Sequence, residues 1–285
     1  MRSAVVGLLP SDLHKIDGGA VERVASLGFS GTSVLLDEPG TYAEADLRRV
    51  RDTLRAGGVA ATQANGKYAS LVATEPEVRT DGIAGLAAHI RAGVTLGADT
   101  VYVRPGGRNP GKPWWPHPDH HTDAARDLLV TSLREVARIA EAEGVQLALE
   151  GHVLSVIDTP EHFGEIVRAV DSPALWVNLD PVNFIGSVWD AWRPQAVYDR
   201  LLQQIGDRIV CAHWKDYTIE DRLVLHITEV PPGEGVIDHA RWLGQLDAIQ
   251  PDAWVMIEHL SPDKIPAAKR ELDTAMRRAG LAWTP

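Results

Sequence analysis

The chain has 285 residues, 45% hydrophobic and 24% charged, an ordinary globular composition with ample material for a large core. A formal net charge of −11 without any basic stripe argues against a nucleic-acid partner. The single cysteine, Cys211, excludes an intrachain disulfide and a cysteine-based zinc site, and the absence of a secretory leader or a run of roughly 20 apolar residues predicts a soluble cytoplasmic protein with no membrane partner.

Short apolar runs of β type alternate with longer runs of helical period, the pattern of parallel βαβ units. The first predicted strand covers residues 3–9. A second, 31–36, leads to a helix over 43–56 with Ala43, Leu47, Val50 and Leu54 at helical spacing. Strand 59–64 precedes a helix over 84–96 that Gly97 closes. Strand 100–104 opens a long proline-rich connection, 105–121, before a helix over 122–142 stopped near Gly144. Strand 146–150 is followed by a helix over 160–170, with Thr159 as N-cap and Pro160 in the first turn. Strands 175–180 and 209–213 come next. A second long connection, 216–238, precedes a helix over 240–249, strand 254–258 and a last helix over 266–279 closed by Gly280.

Several of the eight strands are nearly all apolar, as strands buried on both faces must be. No linker divides the chain. The fold class predicted is α/β, a single (β/α)8 TIM barrel spanning 1–285, and both long connections follow the C-terminal end of a strand, where barrel active sites lie.

Four polar residues end consecutive apolar strands: Glu150 in VQLALE, Asp180 in LWVNLD, His213 in RIVCAH and Glu258 in AWVMIE. Barrel geometry aims all four into the top of the barrel, where unpaired carboxylates would repel one another and lose hydration. One divalent metal ion resolves both problems. Three carboxylates and an imidazole form a largely hard donor set, with Mn2+ the first choice and Mg2+, Co2+, Fe2+ or Zn2+ compatible.

The segments ALEGH, NLDPVN, AHWKDY and MIEH resemble the metal signatures of the xylose-isomerase-like TIM-barrel superfamily of sugar isomerases and epimerases. The His-x-Lys-Asp run from His213 to Asp216 is the most specific of them. The resemblance implies a metal held by Glu150, Asp180, His213 and Glu258. In the epimerase branch it further implies that the two glutamates move protons, one on each face of the substrate. Members that cleave DNA carry a three-metal cluster and a basic face, which the acidic balance here opposes.

Other residues extend the candidate site. His152, two beyond Glu150, is a candidate base or a group supporting the metal. Arg104 ends the fourth strand and could hold a substrate hydroxyl, carboxylate or phosphate, or pair with a ligating carboxylate. Lys215 could bind a substrate oxygen with Asp216 orienting it, and Asn183 could reach a sugar hydroxyl. The loop with Trp114, Trp115, His117, His120 and His121 could close over a sugar by stacking, or pack at a subunit interface. Cys211 reads as a small buried hydrophobe.

The expected function is a metal-dependent sugar or keto-sugar isomerase or epimerase that abstracts a proton next to a carbonyl, with the metal stabilising the enediolate. Two alternatives stay open: a lyase or dehydratase acting on a 3-keto-glycoside, with His152 as base, and a non-catalytic sugar-binding barrel. A homo-oligomer and a small partner subunit are both compatible with the sequence.

Overall fold

A computed structural model describes residues 1–284. Eight parallel strands close into a barrel: β1 (Arg2–Val5), β2 (Gly31–Leu35), β3 (Ala60–Asn65), β4 (Thr100–Val103), β5 (Gln146–Leu149), β6 (Leu175–Leu179), β7 (Ile209–Trp214) and, after a two-stranded hairpin β8 (Asp216–Ile219) and β9 (Ile227–Val230), the closing strand β10 (Trp254–Ile257). Strand β10 pairs with both β7 and β1, so the sheet has no open edge. The chain is therefore a TIM barrel, as its strand–helix alternation predicts.

Strand alternation divides the side chains between two cores. Val101, Val103, Leu147, Leu149, Val255 and Ile257 pack outward against the surrounding helices. Ala4, Ala148, Cys211 and Met256 form part of a small core inside the barrel. The helices are α1 (Gly18–Ser26), α2 (Glu44–Ala56), α3 (Pro76–Leu96), α4 (Asp123–Glu143), α5 (Pro160–Val170), α6 (Val188–Trp192), α7 (Pro194–Ile205), α8 (His239–Ile249) and α9 (Ile265–Arg278). Asp17, Thr122, Thr159 and Asp238 accept the backbone N–H bonds that start α1, α4, α5 and α8. Among the described residues, no helix is long and apolar enough to cross a membrane.

The structure departs from the sequence expectations in several places. Strand β1 ends at Val5, not residue 9. Helix α3 starts at Pro76, not residue 84, because glycines in its first turns mask a helical run. Gly82 is required there by close approach: a Cβ would lie 2.6 Å from the Ala69 carbonyl oxygen. Helices α1, α6 and α7 fill stretches to which no helix range was assigned. The connection from 216 to 238 is not structureless, since β8 and β9 pair antiparallel from Asp216 opposite Val230 to Ile219 opposite Ile227.

Candidate metal centre

Glu150, Asp180 and Glu258 each follow the last residue of a barrel strand by one position, and His213 lies near the end of β7. All four are buried, and each offers one ligand atom within a cluster whose members lie within 4.8 Å of one another. The Nδ1 of His213 stands 3.0 Å from Glu150 Oε1 and 3.1 Å from Glu258 Oε2. Its Nε2 and both carboxylate oxygens of Asp180 are buried without a hydrogen-bond partner. Orphaned polar atoms of this kind are costly in a protein interior. A hard divalent cation would satisfy the Asp180 oxygens and meet His213 through Nδ1, so the donor set fits the metal that the sequence implies.

The electrostatics agree with that fit. Burial opposes the charge on His213, but Glu258 and Glu150 outweigh it and raise the imidazole pKa to about 10. Burial likewise lifts Asp180 to about 6 against the pull of Lys215. Glu258 is the opposite case: burial would raise it, yet His213 and Lys215 hold its carboxyl well below the usual range. The cluster is one that demands positive charge.

Three neighbours fix these groups. Tyr102 on β4 donates its hydroxyl to Glu150 Oε2. Burial and the Glu150 charge push the Tyr102 phenol well above its ordinary pKa, so it keeps the proton it donates. Asn178 donates through Nδ2 to Glu150 Oε1 at 2.8 Å. Lys215, 5% exposed, places Nζ 2.6 Å from both Asp180 Oδ2 and Glu258 Oε1. The contact with Asp180 is an ion pair without hydrogen-bond alignment.

Glu150, His213 and Glu258 line a cavity of about 710 Å3 at the C-terminal face, and Asp180 lies buried behind them. Of the other residues singled out in the sequence, Arg104, Trp114, His152, Asn183 and Lys215 line it, whereas Trp115, His117, His120, His121 and Asp216 do not. His117 caps a short 3-10 helix, Pro118–His121, accepting from the Asp119 N–H. Arg104 pairs with no ligating carboxylate. Its guanidinium stacks 4.3 Å over the Tyr68 ring and donates to the carbonyls of Gly66 and Tyr68. The Nδ1 of His152 accepts the Leu154 N–H at 3.0 Å, so the neutral ring carries its proton on Nε2. Burial lowers the His152 pKa to about 4. A larger depression of about 1140 Å3 lies between α1 and α2, remote from the cluster, and is lined by exposed ion pairs such as Arg48–Glu44.

Some functional neighbours escaped the sequence reading. Tyr102 and Asn178 each lie two residues before a residue already singled out, so the period of two along a strand was the available signal. Glu229 and His259 also line the cavity. Glu229 arrives on β9 and accepts from His259 Nδ1 at 3.2 Å. Asp216 does not orient Lys215. It is fully buried and instead gathers the chain after β9, as described below.

The sequence profile of xylose isomerase-like TIM barrels matches residues 21–279. Among curated proteins none matches the chain. A xylose isomerase-like TIM-barrel protein from Mycobacterium smegmatis, solved with magnesium, superposes with a TM-score of 0.75 at 18% identity, covering 98% of this chain and 96% of its own. D-psicose 3-epimerase from Clostridium cellulolyticum H10, solved with D-tagatose, gives 0.71 at 17% identity and 98% of each chain. The 3-keto-D-glucoside 4-epimerase from E. coli gives 0.71 at 18%, covering 96% and 98%. These likenesses establish the shared fold. With its barrel closed by β10 and the family profile matched across almost its whole length, the chain belongs to the xylose isomerase-like TIM-barrel family.

Proposed function

We propose that this protein is a divalent-metal-dependent sugar or keto-sugar isomerase or epimerase. The observation that carries the reading is the buried Glu150–Asp180–His213–Glu258 cluster, with the unpartnered Asp180 oxygens, three of whose members line a cavity wide enough for a sugar. Solved relatives named as epimerases of D-psicose and of a 3-keto-D-glucoside support the same class. Glu150, Asp180, His213 and Glu258 would hold the ion, with Mn2+ or Mg2+ suited to the donor set. When bound, such an ion acts as a Lewis acid that polarises a carbonyl and its neighbouring hydroxyl.

The chain's own groups account for the rest. Glu150 and Glu258 follow β5 and β10, with β6 and β7 between them, so they reach the cavity from different directions. Each carboxylate can take up or return a proton at the carbon next to the carbonyl, and the pair can serve opposite faces. Tyr102 and Asn178 hold Glu150, and Lys215 with His213 holds Glu258. Arg104, Asn183 and Trp114 line the walls as substrate-binding candidates, and His152 offers a hydrogen-bond donor at Nε2. That tautomer disfavours His152 as a base and leaves proton abstraction to the two glutamates.

Incubation with D-tagatose, D-psicose and a 3-keto-glucoside in D2O, with Mn2+ added, tests the reading. Deuterium is expected at the carbon beside the carbonyl of at least one of them, with an epimer or isomer formed. Released aglycone would favour elimination instead, and no exchange into any of the three would sink the proton-abstraction reading.

A further inference from the structure

The ligands sit one layer above a second ring of inward-facing side chains. Two residues before Glu150, Asp180, His213 and Glu258 stand Ala148, Asn178, Cys211 and Met256, all buried. Only one of these four carries an amide. An amide in such a layer is tolerated when its polar atoms are satisfied. Asn178 Nδ2 donates to Glu150 Oε1 at 2.8 Å, and its Oδ1 accepts the Cys211 thiol proton at 2.9 Å. Cys211 Sγ in turn accepts from Gln63 Nε2 at 3.4 Å. A polar chain thus runs from β3 through β7 and β6 to the carboxylate that follows β5.

The chain has one direction. The ionised Glu150 carboxylate can only accept, so the amide must face it with nitrogen. Turned by half a revolution, Asn178 would set its oxygen against the Glu150 carboxylate and its N–H donors against the Cys211 S–H. Cys211, as the donor to Oδ1, reinforces the direction that the carboxylate sets. In a lone strand-interior cysteine packed only as a hydrophobe, no such partner is needed.

We propose that Asn178, kept in register by Cys211 and Gln63, is a positioning residue that sets the Glu150 carboxylate for metal binding. This inference rests on the metal-centre reading above. Neither Asn178 nor Cys211 touches the ion; each acts through Glu150.

Titration calorimetry with Mn2+ on the full-length chain tests it, with thermal unfolding followed in parallel. Wild type is expected to bind one Mn2+. Asn178→Leu should bind about 10- to 100-fold more weakly, the usual loss when a group that orients a ligand is removed. Cys211→Ala should weaken binding by about fivefold, the value of one modest hydrogen bond, and Cys211→Ser, which keeps a donor, should restore it. If Asn178→Leu does not fold, the Cys211→Ala and Cys211→Ser pair decides. Variants that lose thermal stability yet bind Mn2+ within about twofold of wild type would reduce the chain to a packing device and overturn this inference while leaving the metal centre intact. A wild type that binds no Mn2+ would overturn the metal centre first and this inference with it.

Discussion

Replacing Asp216 with alanine should unfasten the chain between the hairpin and α8. Its Oδ1 accepts the N–H bonds of Tyr217, Val236 and Ile237 at 2.8, 3.0 and 3.1 Å. Its Oδ2 accepts those of Gly233 and Gly235 at 3.1 Å and stands 2.9 Å from His239 Nε2. His239 is oriented from the other side, because its Nδ1 accepts the Trp214 indole N–H at 2.9 Å. Asp216→Ala strands the buried donors of Tyr217, Ile237 and His239 together with three part-buried ones, so the expected cost is about 3–5 kcal/mol, the range for removing one member of a buried charged network.

Urea unfolding measures that cost, and hydrogen exchange at Gly233, Gly235, Val236 and Ile237 locates it. Burial pushes the Asp216 carboxyl up, but His239 and the backbone donors outweigh it and hold the value below the ordinary one. A folded value below the unfolded value of about 3.9 means the stabilisation is complete above that pH and is lost as the pH falls through the folded value. The gap between wild type and variant should therefore be full at neutral pH and close in acid. A cost under about 1 kcal/mol at pH 7, with amide protection unchanged, would refute the reasoning.

Lys215→Met removes the buried ammonium between Asp180 and Glu258 and should cost about 3 kcal/mol in ion-free protein. Added Mn2+ should then raise the melting temperature more for the variant than for wild type, since it compensates charge that the lysine no longer supplies. Gly31→Ala should destabilise by about 1–3 kcal/mol in chemical denaturation, because its Cβ would lie 2.3 Å from Thr62 Cγ2 and 2.7 Å from the Trp254 ring. His120→Ala should open the 105–121 loop to limited proteolysis. That buried ring accepts the Arg108 N–H at 2.7 Å and donates to the Leu154 carbonyl at 2.8 Å, tying the loop to the one after β5.

The barrel was readable because several strands are short apolar runs alternating with helical patterns, and the polar residues that close four of those runs also exposed Glu150, Asp180, His213 and Glu258. Their closest supports were harder to see. Tyr102 and Asn178 lie inside the strand runs, where a polar residue reads as an interruption until strand alternation places it beneath the ligands. Cys211 read as a hydrophobe because composition does not reveal that its thiol faces the Asn178 oxygen. The hairpin stayed hidden because its tip is exposed: Leu223, Val224 and Leu225 face solvent and mimic no buried strand. Asp216 read as a neighbour of Lys215 by sequence adjacency, yet strand alternation sends the two side chains to opposite sides.

Anomalous diffraction from Mn2+-soaked crystals tests the central claim most directly. A single strong peak enclosed by Glu150, Asp180, His213 and Glu258 is the predicted result. Full occupancy of Mn2+ elsewhere, or no peak at the four residues at millimolar Mn2+, would contradict the account.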